Sequence, residues 1–300
     1  MTSAQAAVFP VESVSMARSG TSPLRRAVAR FRKNRVAVAA LALLIVLHVL
    51  VLLAPWIAPY DPENVQLVSR LESASRAHWL GTDEYGRDVL TRLLYGGQVS
   101  LAVGFTSMAA AMVIGVAIGA IAGYAVGAAD AVLMRITDGM LAVPLFFVAL
   151  MALATLGATM VNLVAVIALS SWMTVARAVR AEALRTRELE FVLAARALGG
   201  GRVRIVVTHV VPQSVPSITV AATIGVAFAV LLESALSFLG LGVQPPAASW
   251  GNMLSGARGY LRTVPGLAVM PGVLIFVTVL CYNWFGDGLR DAMDPGGERS

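Results

Sequence analysis

Two stretches of this chain run for close to forty residues without a charged side chain. One lies between Arg92 and Asp130, and the other, of 38 residues, between Asp138 and Arg177. A soluble helix keeps a polar face toward water, so apolar runs of this length do not fit a water-solvated fold. Lipid accepts them, because hydrocarbon covers the outward side. Composition agrees. Of the 300 residues 58% are hydrophobic and 13% charged, against about 25% charged in soluble domains.

The runs divide into membrane spans. Val36 to Ile57 is interrupted only by His48, and 22 helical residues reach about 33 Å, enough for a hydrocarbon core of about 30 Å. Pro55 and Pro59 end this helix, with Trp56 and Tyr60 at interface depth. A second span is expected at about 99–124. The 38 uncharged residues are too many for one helix and tight for two, so a hairpin turning near Thr155–Met160 supplies the third and fourth spans. The fifth runs from about Pro212 to Leu239 and contains Glu233. The sixth runs from about Gly266 to Phe285. The expected fold is all-α, with six transmembrane helices.

Charge sets the orientation. Seventeen Lys/Arg lie in the N-terminal tail, the 124–137 loop, the 177–204 loop and the C-terminal tail. Six lie on the other side: Arg70, Arg76, Arg87, Arg92, Arg258 and Arg262. The positive-inside rule then puts both termini in the cytoplasm. The same rule accounts for the net charge of +6. The basic blocks sit between apolar runs without interleaved aromatic residues, so nucleic acid is not the expected partner; membrane lipid is.

Much chemistry is excluded. Lys33 is the only lysine and lies in RFRKNR, so no phosphate-binding loop of the Walker type exists. The three histidines are scattered, no GxSxG elbow occurs, and the single Cys281 sits in an apolar run where it packs as a small hydrophobe. No catalytic or metal constellation is expected. If the chain moves a solute uphill, the energy comes from a partner or an ion gradient.

Several positions have two readings. Gly115, Gly119, Gly123 and Gly127 are four apart, on one helix face. They let a second helix approach, or they line a groove with bare backbone. His48 is a neutral hydrogen-bonded histidine or a proton relay, and the lack of an acidic partner in its span favours the former. Glu233 contacts solute in the translocation pathway, gates it, or satisfies backbone groups near Gly240–Gly242. Asp138, beside Arg135, is a membrane-edge ion pair or cap, with a pathway role the weaker reading. A carrier working alone would need ionisable groups near mid-membrane, and only Asp138 and Glu233 come close.

The loop between the fourth and fifth spans reads RAVRAEALRTRELEFVLAARALGGGRVRIVVTHVVP. Leu189, Val192, Leu193 and Arg196 recur at helical spacing, and the Gly199–Gly201 run stops the helix. A helix of about 11 residues is expected. Its residues alone leave two readings open, a helix on the headgroups or a knob for a partner, with small alanines allowing close approach and Glu188, Glu190 and Arg196 setting orientation.

This loop resembles the EAA motif of bacterial ABC importer permeases. Ala194, Ala195, Arg196, Gly199 and Pro212 match it, and Leu193 stands where the family commonly has Glu, with Glu190 three residues earlier. HWLGTDEYGRDVLTRLLYGGQVSL (His78–Leu101), ESALSFLGLGVQPPAASWGNML (Glu233–Leu254) and NWFGDGLRDAMDP (Asn283–Pro295) are similar to further segments of the C-type permeases of the dipeptide, oligopeptide and nickel group. The resemblance implies a type I importer permease fold, made of a basic cytoplasmic tail over 1–35, a first helix over 36–58, an extracytoplasmic loop over 59–98, an ABC type-1 transmembrane domain over 99–286 with a coupling helix at about 188–201, and a cytoplasmic tail over 287–300. It implies a pore-forming subunit that imports peptides or a related solute by alternating access. Its implied partners are a homologous B-type permease, two ABC ATPase subunits and an extracytoplasmic substrate-binding protein. ATP and magnesium would be held by the ATPases, with no cofactor in this chain. A stand-alone carrier or channel is the alternative.

Overall fold

A computed structural model describes residues 23–293. Residues 1–22 of the expected basic tail and the Asp294–Pro295 end of the C-terminal motif lie outside the described residues. Twelve α-helices follow one another among the described residues, with no strand. The part of the basic tail that is described is itself helical, as α1 (Pro23–Lys33). Asn34 then caps α2 (Arg35–Leu52), its side chain accepting from Ala37 N at 3.1 Å. Along α2 the buried residues Ala37, Ala40, Leu44, Leu47 and Val51 recur every three or four positions. Val38, Ile45, Val46 and Val49 on the other side are apolar and exposed. A helix apolar all round is a membrane helix. The short α3 (Ala54–Ile57) follows, with Pro55 in its first turn.

The loop after α3 folds back on itself before α4 (Val89–Ala125) begins. Asp88 caps α4 by accepting from Thr91 N at 2.8 Å. The second span therefore starts ten residues earlier than expected from hydropathy, and Val89, Leu93 and Arg92 belong to its first turns. At 37 residues it is about 55 Å long, more than the bilayer core requires.

The third span is corrected. Helix α5 (Ala128–Ala142) begins well before Asp138, and α6 (Leu145–Leu156) leaves it at 83°. The cause is local. Pro144 offers no N–H, and it forces Val143 into an extended conformation at φ −92°, ψ 133°. Among the described residues five helices are long and apolar enough to cross a membrane, or six spans if this bent pair is counted as one.

Helix α7 (Met160–Thr186) returns across the bundle, and Thr159 caps it. The loop helix α8 (Glu190–Ala197) is next. The fifth span begins at Arg202 rather than Pro212, as α9 (Arg202–Ile205), a wide π turn over Val206–Val210 and α10 (Val211–Phe238). Pro212 follows directly on the π turn, inside the continuous Arg202–Phe238 span, where the backbone hydrogen-bond register has already widened. After α11 (Trp250–Gly256), α12 (Gly266–Met293) continues eight residues beyond the expected end at Phe285.

The most extensive packing joins α4 to α7, with α10 against α4, α7 and α12, and α2 against α12. One end of the bundle carries α8 beside the C-terminal ends of α4 and α7. The opposite end carries the folded loop, the start of α4, the exit of α10 and α11.

Candidate functional site

The loop helix is built by its caps. Glu190 in the first turn and Arg196 in the last complement the helix dipole. Gly199 has φ +84°, a conformation that favours glycine. Its N–H donates to Arg196 O and that of Gly200 to Ala195 O, both at 3.0 Å. This is the Schellman arrangement, and it satisfies carbonyls that the helix end would otherwise leave open. The helix is eight residues rather than about 11, because Arg187–Leu189 and Leu198–Gly201 form the turns.

A single side chain anchors it. Val192 is fully buried and packs with Tyr124 at the end of α4, Ala183 of α7, and Ile205 and Val210 at the start of the fifth span. Arg196 lies over the Tyr124 ring, 5.4 Å from its centroid. Phe191, Leu193 and Leu198 are exposed, Leu198 by 89%. Ala194 and Ala197 are exposed beside them, and Ala195 is half-buried. The helix thus holds to three spans by its inner face and presents an apolar, small-residue surface outward. The role of Tyr124 was not read from the sequence, because a tyrosine 68 residues away gives no local signal.

The glycine row divides. A Cβ on Gly115 would lie 2.6 Å from Trp172 O and 2.6 Å from Val175 Cβ. On Gly119 it would lie 2.9 Å from Val179 Cβ, and on Gly123 2.6 Å from both Arg180 O and Ala183 Cβ. These three are where α7 presses on α4. Gly127 is corrected: it follows the end of α4, has φ +74°, and nothing stands within 4 Å of its Cβ position. It is a turn residue.

Two ion pairs tie α5 to α7. Arg180 binds Asp130 through both carboxylate oxygens at 2.5 and 2.7 Å. Asp138 pairs with Arg177 at 2.5 Å rather than with Arg135, and does so from inside α5 rather than at a helix end.

For Glu233 the geometry is that of the backbone-satisfying reading. It is completely buried and faces serines. Ser237 Oγ donates to it at 2.7 Å and Ser234 Oγ at 3.3 Å, and Ser100 and Ser249 stand beside it. Three of these hydroxyls each accept a backbone N–H. Val243 N donates to Ser237, Trp250 N to Ser100 and Asn252 N to Ser249, at 3.0, 3.2 and 3.2 Å. The carboxyl thereby organises the exit of α10, the turn at Gly240–Gly242 and the start of α11. His48 bonds Leu44 O at 2.7 Å and Tyr282 OH at 3.0 Å, within the bundle.

The His78–Leu101 motif builds the folded loop. Asp83 accepts from Tyr85 N, Arg87 N and Arg87 Nε at 2.8, 2.9 and 2.7 Å. His78 Nδ1 lies 3.0 Å from Asp88. Arg70 reaches Tyr260 OH at 2.7 Å, joining the loop to the segment after α11.

Over residues 115–295 the chain matches the family described as binding-protein-dependent transport system inner membrane component. Residues 22–73 match the N-terminal transmembrane domain of oligopeptide transport permease C. It is 40% identical over 279 residues to the glutathione transport system permease protein of Pectobacterium atrosepticum, covering 93% of each chain. It is 38% identical to the dipeptide transport system permease protein of Alkalihalophilus pseudofirmus, covering 92% of this chain and 91% of that one. The nickel transport system permease protein of Escherichia coli K12 is 39% identical over 85% of this chain and 92% of its own. Among solved structures, an inward-facing form of the MetNI methionine ABC transporter superposes with TM-score 0.53 at 21% identity. It covers 68% of this chain and 96% of that one, and shows the fold.

Proposed function

Because this chain belongs to the family of binding-protein-dependent transport system inner membrane components, we propose that it is the pore-forming permease of an ATP-driven importer for di- or oligopeptides or a related small solute. The reading is supported by relatives whose names give dipeptide, glutathione and nickel transport. A homologous B-type permease completes the pore, two ATPases bind ATP and magnesium, and a substrate-binding protein delivers cargo from outside. Hydrolysis belongs to the partner chains. The α8 end of the bundle faces the cytoplasm, as do both termini. Its arginines 177, 180, 185, 187, 196, 202 and 204 outnumber those of the opposite end, in keeping with the positive-inside rule.

The observation that carries the proposal is α8 itself: a capped helix held by buried Val192 to three spans, with its apolar face open. An ATPase seated on Leu193, Ala194 and Ala197 would push on the helix as the nucleotide-bound dimer closes. Val192 passes the push to α4, α7 and the start of the fifth span. The glycine row makes α4 and α7 one body, so they move together, and rigid-body rocking switches access from one side to the other.

Leu193→Cys in the assembled complex tests this. Native Cys281 is buried, so a thiol-directed cross-linker reports position 193. The expected product joins this chain to the ATPase, in a yield that changes with ATP. Cross-linking only to lipid-facing reagents, with uptake unaffected by a bulky adduct at 193, would sink the coupling role.

A further inference from the structure

Helix α1 divides into two sides. Arg25, Arg26, Arg30, Arg32 and Lys33 take one side of its 11 residues, and Arg35 follows at the start of α2. Ala27, Val28 and Phe31 share the other side. No acidic residue lies between Pro23 and Val36. Arg25 and Arg30 have contacts of their own. Among the described residues, the side chains of Arg26, Arg32, Lys33 and Arg35 form no ion pair or hydrogen bond, and all four are exposed.

One ring fixes the helix in place. Phe31 meets Phe285 of α12 edge-on, with centroids 5.7 Å apart. It also stands at the notch left by Gly288, where a Cβ would strike Ala37 and lie 3.2 Å from Phe31 Cε2. Asn34 then breaks the helical path at φ −80° and ψ 93°, its N–H donating to Phe31 O at 3.0 Å. The basic helix is therefore a separate element at the entry to the first span, not an extension of it.

Its place in the bundle selects what can meet these four cations. Helix α1 packs on α12 and α2, whereas α8 sits against α4, α7 and the start of the fifth span. The two helices share an end of the bundle but stand on different sides of it. On the α1 side the chain turns apolar residues outward: Val28 is 51% exposed, and Val36, next after Arg35, is 52% exposed. A cluster of Lys/Arg just outside a lipid-facing helix is the arrangement that anionic headgroups attract. The apolar side of α1 is too small to hold a bilayer alone, so charge has to supply the rest.

We propose that Arg26, Arg32, Lys33 and Arg35 form a site for anionic phospholipid headgroups at the α8 end of the bundle, with Val28 at the acyl boundary and Phe31 fastening the lipid-held helix to α12. The site goes beyond the importer reading and does not depend on which solute the chain moves.

The test uses the full complex in nanodiscs made of equal parts phosphatidylcholine and phosphatidylglycerol. A fluorophore is attached at Val28→Cys, and native Cys281 is buried. Bromine atoms near the headgroup are carried by one lipid or the other, and quenching reports which lipid lies beside α1. Val46→Cys, on the exposed apolar side of α2, is the control and should show no preference. At Val28→Cys brominated phosphatidylglycerol is expected to quench at least about twofold more than brominated phosphatidylcholine. That preference should vanish in about 1 M salt, where the screening length falls to about 3 Å. It should also vanish when Arg26→Gln, Arg32→Gln and Lys33→Gln are combined. The salt arm needs no change at the basic residues, so it stands even if the triple variant fails to assemble. Equal quenching by the two lipids at low salt overturns the site, as does a preference that survives salt or the triple substitution. Quenching by neither lipid in the complex, with quenching restored in the chain without its ATPases, would assign the basic face to a protein partner and overturn it as well.

Discussion

Gly115→Ala and Gly139→Ala are the same chemical change on two helices, and the structure gives them opposite signs. Both gain helix propensity, worth about 1 kcal/mol for Ala over Gly. At Gly139 nothing stands within 4 Å of the new methyl group, so that gain is kept. At Gly115 the methyl group would be 2.6 Å from Trp172 O, where a relaxed carbon–oxygen contact is about 3.3 Å. Helix α7 must retreat by roughly 0.7 Å. Overpacking of this kind costs about 1–3 kcal/mol, which exceeds the propensity gain over most of its range. The expected net effect is up to about 2 kcal/mol of destabilisation at Gly115, against up to about 1 kcal/mol of stabilisation at Gly139. Because α7 retreats once for the whole row, adding Gly119→Ala to Gly115→Ala should cost less than the sum of the two. Reversible unfolding in detergent–SDS mixtures, followed by circular dichroism, measures all four variants. Equal shifts at 115 and 139, or stabilisation at 115, would refute close helix contact along this row.

Three further outcomes are expected. Gly199→Val places a β-branched residue at φ +84° in open space, so its cost is backbone strain of about 1–2 kcal/mol; ATP hydrolysis should persist while uptake falls, and Gly199→Asn should be milder in both assays. Leu193→Ala is exposed and should change stability by less than about 0.5 kcal/mol, whereas Val192→Ala removes about two buried methylene equivalents at about 0.8 kcal/mol each; both should lower uptake per ATP hydrolysed, but only Val192→Ala should shift unfolding. Glu233→Leu strips the acceptor from Ser234 and Ser237 and should destabilise by at least about 2 kcal/mol, with faster hydrogen exchange at Val243, Trp250 and Asn252, while Glu233→Gln retains an oxygen and should be milder on the same measurements.

The bilayer left its mark on the sequence because hydropathy is a local property. The uncharged runs located the bundle, and the Gly199–Gly201 stop located the end of α8. Elements that depend on distant partners were less legible. The start of α4 is amphipathic rather than apolar because it projects past the lipid toward Trp250, whose indole Nε1 donates to Leu93 O at 2.9 Å, so hydropathy missed its first ten residues. The break at Pro144 was readable: proline after Val143 in a helical run is a bend signal, and the apolar count obscured it. Asp138 was paired with its near neighbour Arg135 because sequence proximity was the available guide, whereas the fold offers Arg177, 39 residues on. Glu233 was legible as a carboxyl needing partners, but its serines come from α4, α10 and the cap of α11. The burial of Val192 against Tyr124, Ala183, Ile205 and Val210 is likewise a product of the assembled bundle, which no spacing within the loop reveals.

Coupled uptake tests the central claim most directly. The chain is reconstituted in proteoliposomes with its partner permease, ATPases and peptide-loaded binding protein, and labelled peptide uptake is followed with and without ATP, beside vesicles that hold this chain alone. Uptake that needs ATP and every partner, and that falls in Gly199→Val while hydrolysis continues, is the predicted result. Peptide flux through vesicles containing only this chain, indifferent to ATP and to Gly199, would contradict it.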